Sequence, residues 1–294
     1  MKYYGSLEAG GTKMVLSVLD ENGEILKRES IPTKTPEETM PAMIAFFEKE
    51  SVSALGIACF GPLELDPLSP SFGCITATPK LAWRGQPVYA AFREALKIPV
   101  GIDTDVNAAA LAEYRLGAAK GLGSCLYVTV GTGVGGGLVV NGKAVHGFMH
   151  PEFGHMLLPV SPLDPAPEGF CPYHKGCLEG LAGGPAIEKR WGVPAYRLPP
   201  EHAAWDVETD YLAAMCVNAV MAFSPERIVL GGGVMQQKML FPRIREKFLK
   251  LLGGYVEPLS TREAVERYIT EPGLGINSGV MGGWLLAKES AERA

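Results

Sequence analysis

Residues 124–147 read SCLYVTV-GTGVGGG-LVV-NG-KAVHG: an apolar run, a glycine-rich turn, a second apolar run, Asn141-Gly142, and a third short run. Asn-Gly between alternating apolar runs marks a two-residue β-hairpin, because a type I′ turn needs positive φ at both central residues. Residues 3–31 follow the same order: YYGSLEA, Gly10-Gly11-Thr12, KMVLSVL, Asn22-Gly23, EILKRESI. Each stretch is a three-stranded meander whose first turn is rich in glycine. Two such hairpins can arise by coincidence in any α/β chain. The match of every part in order favours a duplicated α/β fold with two similar halves facing a cleft.

Helices are expected to follow each meander. Thr35-Pro36-Glu37-Glu38 is a helix start, with Thr35 as N-cap and Pro36 at the first helical position. ALGIACF (54–60) and the run from Val100 to Asp103 read as buried strands, and Asp105 opens an alanine-rich helix. In the second half, 178–191 reads as one short helix and 206–223 as a longer one. RIVL (227–230) reads as a strand before Gly231-Gly232-Gly233, and 238–252 and 279–293 read as helices. The proline- and glycine-rich stretch 160–176 is expected to be an inserted loop.

The chain has 294 residues, 47% hydrophobic and 20% charged, with a formal net charge of -5. That length suits about two domains and a sizeable core. A basic stripe, the footprint of nucleic-acid binding, is missing, as is an apolar run of membrane-spanning length. MKYYGSLEAGG reads as a first strand and not a leader, so a cytoplasmic location is expected, where disulfides are rare. Of the six cysteines, Cys59, Cys74, Cys125 and Cys216 sit singly in apolar runs and read as core thiols.

Glycine turns after strands turn backbone N–H groups toward anions and let the backbone approach a phosphate closely. Gly10, Gly11, Thr12 and Lys13 form one such turn; Thr132 and Gly133 belong to a second. Gly232, Gly233 and Val234, past the end of a strand, form a third, where α/β folds bind ligands. A Walker loop or a dinucleotide fingerprint would lead into a helix. Here strands follow both hairpin turns, so the two turns are expected to hold one polyphosphate between them.

Five motifs occur in order: Glu8-Ala-Gly-Gly-Thr-Lys13, Asp103-Thr-Asp-Val-Asn107, Gly131-Thr-Gly-Val-Gly-Gly-Gly137, Glu152-Phe-Gly-His155 and Leu230-Gly-Gly-Gly-Val-Met235. Together, over nearly the whole chain, they resemble the ROK family of sugar kinases and repressors, and most of all its bacterial zinc-containing fructokinase branch. The resemblance implies the actin-like ATPase (ribonuclease H-like) fold. It divides the chain into an N-terminal domain, 1–110, completed by a C-terminal helix at about 279–294, and a C-terminal domain, 111–278, with a zinc loop at 155–177. It implies ATP with magnesium, a hexose or amino-hexose substrate, and a homodimer.

Phosphoryl transfer to a sugar needs a group that takes the hydroxyl proton. The family pattern gives that role to Asp105, although an aspartate at a helix start also serves as an N-cap. The family has asparagine before this base. Thr104 stands there, is shorter, and points to a sugar other than glucose, such as fructose. Glu152, His155 and Glu179 match sugar-binding positions of the family, and Gly73–Thr78 matches a loop lining the sugar pocket. Glu8 stands where the family has an aspartate near magnesium.

Cys171, His174 and Cys177 offer three ligands within seven residues, and His155 can complete a closed tetrahedral zinc set. A Cys171–Cys177 disulfide is the alternative, and His146 and His150 are alternative fourth ligands. The family signature C-x-C-G-x-x-G-C-x-E survives only as Gly176-Cys177-Leu178-Glu179. Zinc would position the sugar site and do no chemistry. The expected activity is ATP-dependent transfer to fructose, forming fructose 6-phosphate. Glucose, mannose and N-acylhexosamines are alternative acceptors within the family. A repressor would carry a DNA-binding helix-turn-helix ahead of the first glycine turn, for which residues 1–7 leave no room. An actin-like structural ATPase would lack Glu-x-Gly-His.

Overall fold

The computed structural model describes residues 2–294. In the first half, β1 (Tyr4–Ala9), β2 (Lys13–Leu19) and β3 (Ile25–Pro32) form the meander. Then come α1 (Pro36–Glu50), β4 (Ala54–Cys59), α2 (Val88–Leu96), β5 (Val100–Thr104) and α3 (Asp105–Arg115). The second meander is β6 (Ser124–Val130), β7 (Val134–Val140) and β8 (Lys143–Ala144). After it come α4 (Leu178–Ala182), α5 (Gly184–Trp191), α6 (Ala204–Phe223) and β9 (Ile228–Gly231). The chain closes with α7 (Leu240–Leu252), α8 (Arg262–Tyr268), β10 (Ile269–Thr270) and α9 (Ser278–Arg293).

The two sheets have one topology. The first is ordered β3-β2-β1-β4-β5 and the second β8-β7-β6-β9-β10. In each, the meander is antiparallel and the two later strands add in parallel to its first strand. All six residues of β4 are buried, the pattern of a parallel strand covered on both faces. The edge strand β3 carries Lys27, Arg28 and Glu29, which discourage pairing with another chain.

Small residues let α3 sit between the halves. It packs on α9, which covers the first sheet, and on β6 and β7 of the second. A Cβ on Gly137 would lie 2.3 Å from the Val106 carbonyl oxygen, so that glycine sets how closely α3 approaches β7. Cys59 is buried in the core of the first half, Cys216 in that of the second and Cys125 against α3, and Cys74 is half-buried.

Three expectations need correction. The expected helix 178–191 is two, because Gly183 is extended (φ -64, ψ 150) and Pro185 in the next turn cannot supply a helical N–H. Thr35 makes no side-chain cap; its carbonyl accepts from the Thr39 N–H instead. The N-cap of α3 is Thr104, whose hydroxyl accepts from the Asn107 N–H at 3.1 Å, so Asp105 is the first helical residue and not the cap. The short elements α2, α8 and β10 went unread.

Candidate active site and metal centre

Three parallel strands of the first sheet end together: Ala9 pairs with Cys59, and Cys59 with Thr104. Their carboxyl ends carry Glu8, the first glycine turn and Asp105, the edge where α/β sheets bind ligands. Asp105 Oδ1 accepts from the Val106 N–H at 2.9 Å. Burial, then the nearby Glu8 carboxylate, push the Asp105 carboxyl up to about 7. Glu8 is itself raised by burial, opposed by Arg28 and Lys13. Two carboxylates in mutual repulsion at a strand end are suited to share a cation or to shed a proton near neutrality.

The two glycine turns meet across the cleft. Thr12 Oγ1 and Thr132 Oγ1 lie 3.1 Å apart, although 120 residues separate them. Both threonines and Lys13 are exposed; Gly10, Gly11 and Gly133 are half-buried. The second turn closes with the Gly131 N–H donating to the Gly133 carbonyl, and the Gly184 N–H at the start of α5 donates to Gly131. Gly232 has φ +92, and a Cβ there would lie 2.4 Å from the Val130 carbonyl oxygen, so this third turn needs glycine. Gly233 is exposed, whereas Val234 is 3% exposed and packs into the core, leaving only its backbone for a ligand.

The candidate sugar residues divide by position. Glu179, on the first turn of α4, accepts from the Val134 N–H at 3.0 Å, which ties it to the exit of the second glycine turn. Glu152 precedes the 3-10 turn Phe153–His155 and accepts from the His155 N–H through its carbonyl. Its carboxyl is raised to about 7 by burial and by Glu179. Thr104 is 3% exposed and its hydroxyl serves α3 as described. In the loop Gly73–Thr78, Ile75 bridges to Leu63, and the Thr78 hydroxyl accepts from the Lys80 N–H.

His155, Cys171, His174 and Cys177 converge, with one donor atom from each within 4.8 Å of all the others. His155 Nδ1 is 3.8 Å from Cys171 Sγ and 3.7 Å from Cys177 Sγ, and His174 Nδ1 is 3.9 Å from Cys171 Sγ. Tetrahedral zinc with ordinary Zn–S and Zn–N bonds puts sulfur and nitrogen roughly 3.5 Å apart, so the set fits zinc with little adjustment. Cys171 and Cys177 are free thiols.

His146 and His150, the alternative fourth ligands, lie elsewhere. His146 Nε2 is 3.1 Å from Asp103 Oδ2, and Asn107 donates to Asp103 Oδ1 at 2.8 Å. The Asp103 hydrogen bond raises the His146 pKa. His150 is buried between the halves. Behind the metal loop, Asp164 accepts from Arg190 Nε at 2.7 Å and from the Tyr211 hydroxyl at 2.5 Å, all but hidden from solvent. This anchor pins the 160–176 loop to α5 and α6. Asp103 was legible as a structural hydrogen-bond partner beside Asp105; the roles of His146, His150 and Asp164 were not, since isolated histidines and an Asp in a loop carry no spacing signal.

The ROK family model matches residues 4–290. The chain belongs to the ROK family. It is 44% identical to a fructokinase of Pediococcus pentosaceus over 99% of each chain. It is 45% identical to a fructokinase of Zymomonas mobilis, covering 97% of this chain and 96% of that one. Among solved structures, the ROK hexokinase of Thermus thermophilus superposes with a TM-score of 0.77 at 28% identity, covering 99% of this chain and 100% of that one. The actin-like ATPase fold is thereby shown for this member. Among the described residues, no helix is long and apolar enough to cross a membrane.

Proposed function

We propose that this ROK protein is an ATP-dependent fructokinase, transferring the γ-phosphoryl group to D-fructose with Asp105 as general base. The observation that carries the mechanism is Asp105 itself: a carboxyl at the end of a parallel strand, tuned to about 7, beside a cleft bridged by two glycine turns. A base near neutrality is ionised often enough to accept the sugar hydroxyl proton and basic enough to take it. The exposed hydroxyls of Thr12 and Thr132 and the N–H groups of both turns bind the phosphates and hold the γ-phosphorus in line with the attacking oxygen. Glu152, Glu179 and His155 orient the sugar by accepting and donating paired hydroxyl hydrogens.

Magnesium, when bound, neutralises phosphate charge. Glu8 is the residue placed to meet it, directly or through water, and the Glu8–Asp105 repulsion supports a cation there. His155, Cys171, His174 and Cys177 hold a structural zinc with His155 Nδ1 as its ligand atom. His155 Nε2 is then left for the sugar, and the ring cannot rotate away. A cytoplasmic homodimer belongs to the same proposal and rests on the family alone.

Fructose is preferred to glucose because Thr104 replaces a longer donor and is turned inward to cap α3, and because the fructokinases above match at 44–45% identity. The test is the ratio of kcat/KM values for the two sugars with ATP in excess. A ratio above about 10 for fructose is expected, and a ratio favouring glucose would overturn the assignment.

A further inference from the structure

His146 stands just past β8 in the second half, with its side chain 39% exposed. Its Nε2 lies 3.1 Å from Asp103 Oδ2 and 3.2 Å from Oδ1. An ionised carboxylate only accepts, so Nε2 carries a proton and donates it. Asp103 belongs to β5 of the first half and is 6% exposed. Its Oδ1 also accepts from the Thr104 N–H at 2.7 Å and from the Asn107 side-chain amide at 2.8 Å. His150 feels the same carboxylate, but its Nε2 accepts the Leu63 N–H at 2.9 Å and burial lowers its pKa. His146, whose pKa the Asp103 hydrogen bond raises against burial, is the ring that pairs with Asp103.

These bonds gather around one helical turn. Thr104 caps α3, Asp105 is its first residue, and the Asn107 N–H closes the cap. Asp103 thus holds the turn at both ends, through the Thr104 N–H and the Asn107 amide. The packing of α3 on β7 sets how near the helix lies, but close packing carries little direction. Among the described residues, the side-chain hydrogen bond that reaches residues 103–107 from the second half comes from His146.

We propose that His146 is a positioning residue for the base: from the second half it donates through Nε2 to the Asp103 carboxylate, which holds the Thr104 N–H and the Asn107 amide, and so it orients the turn that carries Asp105. This rests on the reading of Asp105 as the base. His146 acts through Asp103, so its effect falls on the chemical step and not on sugar affinity. A base that must meet the sugar hydroxyl at hydrogen-bond distance loses rate when its turn shifts by a fraction of an ångström. Glutamine can place an amide N–H where the Nε2–H stands and keep the bond. Leucine fills the space and cannot donate.

The experiment compares wild type, His146→Gln, His146→Leu, Asp103→Asn and the His146→Leu/Asp103→Asn double variant at pH 8, where Asp105 is ionised. Fructose and ATP kinetics, fructose binding by calorimetry and melting temperature are measured on each. His146→Leu is expected to lower kcat between about 10- and 100-fold, with fructose affinity and the ATP KM within about threefold, and His146→Gln to recover most of the loss. The double variant is expected to be no slower than Asp103→Asn, because the histidine acts through that carboxylate. A kcat within about threefold of wild type in folded His146→Leu, a loss confined to fructose affinity, or fully additive losses in the double variant would overturn the proposal.

Nitrogen NMR of His146 in the wild-type protein covers the case in which His146→Leu does not fold. A protonated Nε2 whose signal moves in Asp103→Asn is expected; a bare Nε2, or a signal indifferent to Asp103, would overturn the proposal. Asp105→Asn separates the proposal from the reading beneath it. Full kcat in Asp105→Asn would sink the base and the role of His146 together. A slow Asp105→Asn beside a full-speed His146→Leu would sink the role of His146 alone.

Discussion

The two halves share a topology strand for strand, yet they divide the work. The first half has a full third strand of eight residues, Ile25–Pro32, and sends its fifth strand directly into Asp105. The second half cuts its third strand to two residues, Lys143–Ala144, and spends the following chain on Glu152, His155 and the Cys/His cluster. Each half contributes one glycine turn to the cleft, and these remain equivalent, with Thr12 facing Thr132. The glycine turns are the part of the duplication that stays alike, and the chain after each meander is the part that diverges. On this reading the base comes from the first half and the sugar clamp from the second.

The sharpest way to break that division is Asp105→Asn. Asparagine keeps size and hydrogen-bonding shape but cannot take the proton. kcat should fall about 10²–10⁴-fold, while equilibrium fructose affinity changes little, because the other proposed sugar ligands remain. A kcat within threefold of wild type with an intact fold would transfer the role of base, with Asp103 the next residue to test.

The corresponding loss in the second half is Cys177→Ser. Purified wild-type protein should contain one zinc per chain by elemental analysis, and the variant less than about 0.2. Melting temperature should fall, and fructose affinity should weaken on the order of 10–100-fold, because metal binding and local folding are coupled and the loop carries His155 and leads directly into Glu179 on α4. The ATP KM should stay within about threefold. Full zinc content in the variant, or no zinc in the wild type, would remove the metal from the account.

How far this division was legible in the sequence varies with the kind of signal. The meanders were readable from their glycine turns and Asn-Gly pairs, but only Asn141-Gly142 forms the two-residue turn with positive φ at both positions. At Asn22-Gly23 only the glycine has positive φ, and the hairpin loop runs over residues 20–24, held by Asp20. The Cys171–His174–Cys177 spacing likewise brought three donors together before any fold was known. The capping of α3 was not readable: Thr104 and Asp105 are both good caps, and only the path of β5 decides between them. The break at Gly183 was legible in Gly183-Gly184-Pro185, a glycine pair followed by proline, but went unread. His150 was the hardest, since its partner Leu63 contributes a backbone N–H, and backbone donors leave no trace in residue identity.

A smaller effect follows from pH. With Asp105 and Glu152 both raised to about 7, kcat/KM for fructose should fall about 10-fold or more between pH 8 and pH 6, and Asp105→Asn should make that limb shallower. Stability moves the other way. A carboxyl raised in the fold costs nothing below its unfolded value of 3.8, costs more as pH rises, and reaches its full cost above about 7. Asp105→Asn should therefore melt higher than wild type at pH 8, with the gap closing at pH 4. A variant less stable at pH 8 would mean that the ionised carboxylate is held favourably.

The smallest expected effects test the symmetry that remains. If both turns grip one polyphosphate, Thr12→Val and Thr132→Val each remove one hydroxyl from it, on opposite sides of the cleft. Each should raise the ATP KM by between about three- and tenfold, the lower range for a hydrogen bond to a charged group at an exposed position. Thr12→Ser and Thr132→Ser should recover it, since serine keeps the hydroxyl. The fructose KM should not move, because the two hydroxyls pair with each other and not with Glu152, His155 or Glu179. An effect from only one of the two would show that the turns, though alike in sequence and paired at 3.1 Å, no longer share the ligand. The division of labour between the halves would then extend to the phosphates as well.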